Sequence, residues 1–347
     1  MSEASADPPY RVAVVGLGSR GMDWIRVLHA SQFARCVGAV EPVGAVRTRA
    51  GATPECSGIT IASALDVLVK VAKPDAVVVA TSVESHAAVV EEAIAFGLGV
   101  LVEKPFTLDL SSAADLVRLA RIREVPLLVA QNYRYMRAHR TLRRLVQEEV
   151  LGRLSMVSCH YWRPRHTVTP SLAALESSAL WETGVHHLDA LRYCLGREVV
   201  NVAADTSTAS WSRDLRGTAT RVLLEFEDGL RGEYGVSWEA PGHEFFEAGQ
   251  QFYERVTGER GTLHVLQRWL VLCLTGKWPR LVSRGRRDEL EESVVLKQLV
   301  SAHREGVEPE CSGRDNLKTL ALVAACDLAA RERRWVNPQD LLRDVPV

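Results

Sequence analysis

The chain has 347 residues, enough for two domains, because single hydrophobic cores stop growing well before this size. With 47% apolar and 24% charged residues it has the balance of a folded globular protein rather than a disordered one, and a net charge of −1 gives no basic surface for nucleic acid or a membrane. The seven cysteines are scattered without a C-x-x-C pair, which argues against a disulfide framework or a thiolate zinc site and for a reducing cytoplasm.

MSEASADPPY at the start has no cationic end or apolar core, so no secretion leader is expected there, and no apolar run reaches the length of a membrane span. Five Val-rich runs then read as buried strands: Arg11–Gly16, Ala34–Val40, Ala76–Ala80, Val100–Val102 and Leu127–Ala130. Helical patterns over Arg20–Ala30, Ser63–Val71, Glu84–Phe96 and Ser111–Arg123 lie between them. Strict alternation of strand and helix predicts a parallel sheet covered on both faces, a Rossmann-like α/β domain over residues 8–131.

Beyond Gln131 the pattern changes. A helix over Ala138–Glu149 precedes segments with strand character: Leu154–Trp162, Thr218–Glu227, Leu230–Trp238, Phe252–Thr257 and Thr262–Val265. Asp228-Gly229 is a hairpin signal between two of them. Residues 132–347 therefore read as an α/β domain with a mostly antiparallel sheet, carrying helices at Trp181–Gly196 and Arg314–Arg334. An open sheet face invites a second subunit, so a homodimer or homotetramer is expected. His166–Ser178 and Trp278–Arg287 are poor in structural signals and read as surface loop or as a flap over the site.

Gly16-Leu-Gly18-Ser19-Arg20-Gly21 follows a strand and opens a helix. Gly16 permits the tight turn, Gly18 lets the backbone approach a pyrophosphate, and Gly21 allows close helix–strand packing, with the helix N-terminus facing the anion. Glu41 ends the second strand, 20 residues after Gly21, and is placed to accept ribose hydroxyls and to repel a 2′-phosphate, so NAD is favoured over NADP. Arg47 and Arg49 lie close enough in sequence to soften that preference.

Glu103-Lys104-Pro105 follows a buried strand at the edge where open parallel sheets bind ligands. A lysine there either pairs with its neighbouring glutamate or stabilises a developing alkoxide. Farther on, Trp181–Asp189 (WETGVHHLD) holds Glu182, His186 and Asp189 at i, i+4 and i+7, one face of a helix, with His187 about 100° away. Those groups suit acid–base chemistry better than metal binding, since no spacing such as H-E-x-x-H accompanies them.

The glycine fingerprint, Ala80–His86 (ATSVESH), Glu103–Pro105 (EKP), Gln131–Arg134 (QNYR), Gly184–Asp189 (GVHHLD) and the Asn316–Leu322 stretch (NLKTLAL) together resemble the glucose–fructose oxidoreductase, inositol dehydrogenase and rhizopine-catabolism (Gfo/Idh/MocA) family. The matches run in order from residue 11 to about residue 335. The resemblance implies an oxidoreductase that transfers hydride between a nicotinamide and a hydroxyl or ketone of a sugar or cyclitol. It implies an essential lysine, Lys104, in a peptide that is typically cis to its proline, and an acid–base histidine, His186. The family's D-x-x-x-H aspartate position is Glu182 here; its extra methylene displaces the carboxylate by about 1 Å or more, enough to matter for geometry and hence for substrate choice.

The candidates that follow are Lys104, His186 and Glu182 for catalysis. Gly16, Gly18, Ser19, Arg20, Gly21, Glu41, Thr81, His86, Glu103 and Lys104 are candidates for holding the cofactor, with His86 near the nicotinamide ribose by the same resemblance. Tyr133, Arg134 and Trp162 join the catalytic set as substrate contacts, with Tyr161, Arg163 and His166 nearby in sequence. Asp189 either orients the imidazole or completes local structure. The competing readings are a retained-NAD enzyme that cleaves glycosides or epimerises, a dihydrodiol or biliverdin-type reductase, and a dinucleotide-binding regulator without catalysis.

Overall fold

The computed structural model describes residues 8–164, 168–212, 215–239, 251–266, 269–285 and 289–343. They fall into two compact units, residues 8–130 with 289–316 and the described residues between 131 and 285 with 317–343.

In the first unit the chain runs β1 (Tyr10–Val15), α1 (Ser19–Ala30), β2 (Ala34–Val40), α2 (Gly44–Gly51), β3 (Thr60–Ala62), α3 (Leu65–Ala72), β4 (Ala76–Val79), α4 (Val83–Ala95), β5 (Gly99–Val102), α5 (Leu110–Ile122) and β6 (Leu127–Val129). Its six strands lie in the order β3-β2-β1-β4-β5-β6, and every pair is parallel. Helices on the sheet explain the unbroken apolar runs: β4 and β5 are buried at every position. The strand order reverses between β1 and β4, which opens a crevice at the carboxyl edge of the sheet. The short β3 and α2 escape the sequence reading because neither carries a long apolar period.

The second unit begins with α6 (Arg137–Gln147), β7 (Leu154–Trp162), α7 (Pro170–Ala173), a π-helical turn at Leu180–Gly184 and α8 (Val185–Leu195). Then come β8 (Val199–Ser207), β9 (Ala219–Phe226), β10 (Arg231–Ser237), β11 (Gln251–Gly258), β12 (Gly261–Leu266), β13 (Trp269–Leu274) and β14 (Arg280–Leu281). After α9 (Glu291–Glu305), which belongs to the first unit, α10 (Gly313–Glu332) and α11 (Pro338–Arg343) end the described chain. The sheet order is β14-β13-β12-β11-β7-β10-β9-β8, antiparallel except for the β7–β10 pair.

Strand alternation divides this sheet into a buried face, with Val157, Cys159, Tyr161, Tyr234, Val256 and Leu263, and an outer face that exposes Met156, Leu223, Leu266 and Trp269. The β9–β10 hairpin forms at Asp228-Gly229 as expected, with Gly229 in the left-handed region at φ 86° and the Asp228 carboxylate accepting from the Leu230 amide. Its connection is longer than two residues, because the ladder stops at Glu225 and Arg231. β14 falls inside the Trp278–Arg287 stretch that reads as loop.

Candidate active site

The first unit assembles its candidates at the carboxyl edge of the parallel sheet. Gly16 has φ 94°, and a Cβ there would lie 2.8 Å from the Ala80 carbonyl oxygen, so only glycine lets the loop after β1 touch the loop after β4. A Cβ on Gly21 would lie 1.9 Å from the Gly16 carbonyl oxygen, which is the close helix–loop packing the fingerprint requires. Gly18 is different: a Cβ there would meet nothing within 4 Å. Gly18 caps α1, Ser19 is its first residue, and the N-cap makes no side-chain hydrogen bond. The first-turn amides of a 12-residue helix are the groups that can receive a pyrophosphate.

Glu41 is 8% exposed and accepts the Leu17 amide on one oxygen and the Val43 amide on the other, both at 3.0 Å. The carboxylate is thereby fixed against the glycine loop itself, with lone pairs left for a diol. Arg47 donates to the backbone carbonyls of Glu41 and Pro42, each at 2.7 Å, so its guanidinium is drawn onto the chain rather than extended toward a phosphate. These residues fit NAD.

Glu103 and Arg20 pair with each other at the edge of the sheet. Arg20 donates through Nε (3.0 Å) and Nη2 (2.7 Å) to one oxygen of Glu103, and the indole of Trp24 donates to the same oxygen at 2.8 Å. The other oxygen lies 3.3 Å from the Lys104 amide nitrogen, which donates to it. The glutamate therefore ties the end of β5 to α1 and fixes the backbone that carries Lys104. Burial works against the charge on Arg20, yet Glu103 holds its pKa above the ordinary value. The Lys104–Pro105 peptide is cis.

His86 is 1% exposed, and each of its nitrogens meets backbone carbonyls. Nδ1 lies 3.0 Å from the Pro105 oxygen and 3.2 Å from that of Phe106, while Nε2 lies 3.2 Å from the Thr81 oxygen. The ring joins the loops after β4 and β5, and burial pushes its pKa below the ordinary value. Thr81 directs its hydroxyl to the Ser82 carbonyl at 3.3 Å.

In the second unit the WETGVHHLD stretch is not one uniform helix. Leu180–Gly184 forms a π turn and α8 starts at Val185, so the wider turn rotates Glu182 away from simple i, i+4 stacking above His186. Glu182 and His186 are half-buried. The His186 imidazole stacks on Tyr133, with ring centroids 4.2 Å apart and planes at 10°. His187 is buried, with Nδ1 3.0 Å from the Tyr234 hydroxyl, consistent with a structural role.

Asp189 points elsewhere. It is 0% exposed and binds Arg134 at two points and Thr319 at 2.7 Å, so it completes the interior of the unit and is not placed as a partner of the His186 ring. Arg134, at 3% exposure, is the cation that this carboxylate requires. Trp162 stacks on His160 (5.3 Å, 15°), on the outer side of the sheet, whereas its neighbour Tyr161 turns inward to His187 (4.8 Å). The fold thus stacks Tyr133 on His186 and leaves Trp162 with His160 on the outer face of the sheet. Arg163 follows β7 and donates its amide to the Ser237 carbonyl; His166 lies outside the described residues.

Among the described residues, no group of three or more His, Cys, Asp or Glu side chains converges to hold a metal ion. None of their helices is long and apolar enough to cross a membrane. Sequence reasoning missed Trp24, which shares Glu103 with Arg20; its only signal was a tryptophan on the inward face of the helix that follows the glycine loop.

Residues 10–131 match the model of the oxidoreductase family with an NAD-binding Rossmann fold, and residues 139–264 match the GFO/IDH/MocA C-terminal domain. The D-apiose dehydrogenase of Paraburkholderia graminis is 30% identical over 286 residues, 78% of this chain and 75% of that protein.

The chain belongs to the Gfo/Idh/MocA oxidoreductase family.

It is therefore an oxidoreductase whose first domain binds NAD. This Gfo/Idh/MocA protein is also similar to inositol 2-dehydrogenase 2 of Saccharopolyspora erythraea, 27% identical over 91% of each chain. In fold it resembles an oxidoreductase from Agrobacterium radiobacter, solved in complex with NAD+, L-tartaric acid and magnesium, at a TM-score of 0.86 and 23% identity over 96% of this chain and 100% of that one.

Proposed function

We propose that the protein interconverts a secondary hydroxyl and a ketone on a sugar, cyclitol or sugar derivative. The observation that carries the reading is Lys104: it lies just past β5, after Glu103, at the sheet edge that holds the glycine loop and Glu41, and its backbone is fastened by Glu103. Kinship with an apiose dehydrogenase and an inositol dehydrogenase supports a polyol substrate.

The nicotinamide, when bound, accepts or donates the hydride. The chain's own residues handle the proton and the charge. A secondary alcohol is a very weak acid, so its oxidation needs a base near neutral pH, and the His186 imidazole has that range. The Lys104 ammonium stabilises the alkoxide that develops. Glu182 orients the substrate hydroxyls, and Tyr133 holds the base in place by stacking. Glu41 selects NAD over NADP, and the amides at Gly18 and Ser19 receive the pyrophosphate.

The test is nicotinamide reduction across inositols, aldoses, uronic acids and glycosides, with NAD and NADP in parallel and Lys104→Ala as the blank. Turnover with one polyol class that vanishes in the variant is the expected result. Silence across the panel with cofactor binding intact overturns the free-substrate dehydrogenase reading and favours a retained-NAD enzyme or a regulator.

The same reading includes a homo-oligomer in the cytoplasm. Met156, Leu223, Leu266 and Trp269, at 37%, 54%, 42% and 60% exposure, put apolar surface on the outer sheet face, and no disulfide joins the seven cysteines. Light scattering that gives a monomer mass at every concentration would remove the oligomer.

A further inference from the structure

α6 carries a buried histidine that the proposed reaction does not use. His139 and Glu254 are each 1% exposed, and Nε2 of the imidazole lies 3.3 Å from the carboxylate. Nδ1 lies 2.6 Å from the Tyr133 carbonyl oxygen. A carbonyl can only accept, so Nδ1 carries a hydrogen, and Nε2 faces the carboxylate at ion-pair distance without a well-aligned hydrogen bond. Burial pushes the His139 pKa down, but Glu254 and the Tyr133 carbonyl outweigh it and hold the value above that of an ordinary histidine. Cys159 lies directly opposite on β7, and burial together with the Glu254 carboxylate pushes its thiol pKa well up.

An ion pair at this depth does little for stability by itself, since apolar residues of similar volume serve as well or better. Its geometry supplies another reason. Tyr133 is the residue His139 grips, and the Tyr133 ring lies flat against His186. Tyr133 also meets His187 at 5.7 Å, and His187 is enclosed by Tyr161 (4.8 Å), Phe252 (5.5 Å) and Tyr234 (5.7 Å). Phe252 in turn meets the edge of His139 at 5.8 Å. The ion pair, the aromatic group and the His186 ring form one continuous packed set.

We propose that His139 and Glu254 are positioning residues for His186, acting through the Tyr133 backbone and ring. The inference rests on the reading of His186 as the acid–base residue, but its test does not need a substrate. The ten histidines of the full chain can be followed by proton–carbon NMR of their Cε1–H groups, with His186 assigned by His186→Asn. A proton held over an aromatic face resonates upfield, so the His186 signal is expected upfield in the native protein and shifted downfield in Tyr133→Leu. Glu254→Gln is expected to move it the same way. The double variant His139→Leu with Glu254→Leu, which removes both charges and keeps apolar bulk, provides a folded control with the same expected shift.

Once a substrate is in hand, kcat is expected to fall on the order of 10- to 100-fold in either variant, with the NAD dissociation constant unchanged. A His186 signal that stays at its native position in a folded variant overturns the proposal. A signal that moves, with His186→Asn still fully active, upholds the positioning and removes the acid–base role from His186 instead.

Discussion

Arg134 and Asp189 form a two-point ion pair in the interior of the second unit, Nε to Oδ2 and Nη2 to Oδ1, both at 2.6 Å. Neither side chain has more than 3% of its surface exposed. Removing one partner strands the other charge, so Asp189→Asn is expected to lower unfolding free energy by about 3–5 kcal/mol in denaturant titration. Arg134→Met combined with Asp189→Leu is expected to recover most of that loss. A small loss in the single variant would mean that Thr319 and Arg192, also near the carboxylate, suffice.

The three fingerprint glycines are expected to fail in different ways. Gly21→Ala forces a Cβ into the Gly16 carbonyl at 1.9 Å and so lowers the melting temperature. Gly18→Ala meets open space in the protein alone, so stability is retained while NAD affinity falls by roughly tenfold or more, the loss expected where a backbone must approach a phosphate. Thermal melts beside NAD titrations of both variants separate the two effects.

NADPH is expected to bind at least about tenfold more weakly than NADH. Glu41 is pinned between two loop amides and cannot swing away from an incoming phosphate, and a lost charge-assisted hydrogen bond costs about 1.5–3 kcal/mol. Equal affinities measured by fluorescence titration would show that Arg47 leaves the backbone carbonyls to meet the phosphate.

Stability should also report the His139–Glu254 pair. A histidine whose folded pKa is raised contributes stability that is complete below its unfolded value of about 6.5 and is lost as pH rises through the folded value. Unfolding free energy is therefore expected to decline from weakly acidic toward alkaline pH. The double leucine variant should lose that part of the slope, and an unchanged profile would show that the pair binds its proton no more tightly than the unfolded chain does.

Much of the fold could be read directly from the residues. The Val-rich runs, the glycine spacing and Glu41 each encode a local requirement: a buried parallel strand, a loop without Cβ, a carboxylate at a strand end. Those requirements act over a few residues, so periodicity and spacing display them. The short strands β3 and β14 were harder, because pairing with neighbours rather than an intrinsic pattern makes them strands, whereas β8 and β13 carry apolar runs that went unread.

The site was legible only by residue type. The sequence by itself determined that a dinucleotide loop, a strand-end lysine and a histidine-bearing helix would exist. Tertiary structure decided their company. Asp189 lies one turn beyond His186 in α8, yet a buried arginine from a segment 55 residues earlier draws that carboxylate into the core, while the π turn before α8 shifts the phase of Glu182. Likewise Arg20 and Glu103 lie 83 residues apart and pair with each other. A charge removed from water must find its counter-charge wherever the fold brings one, and no local pattern records which one that will be.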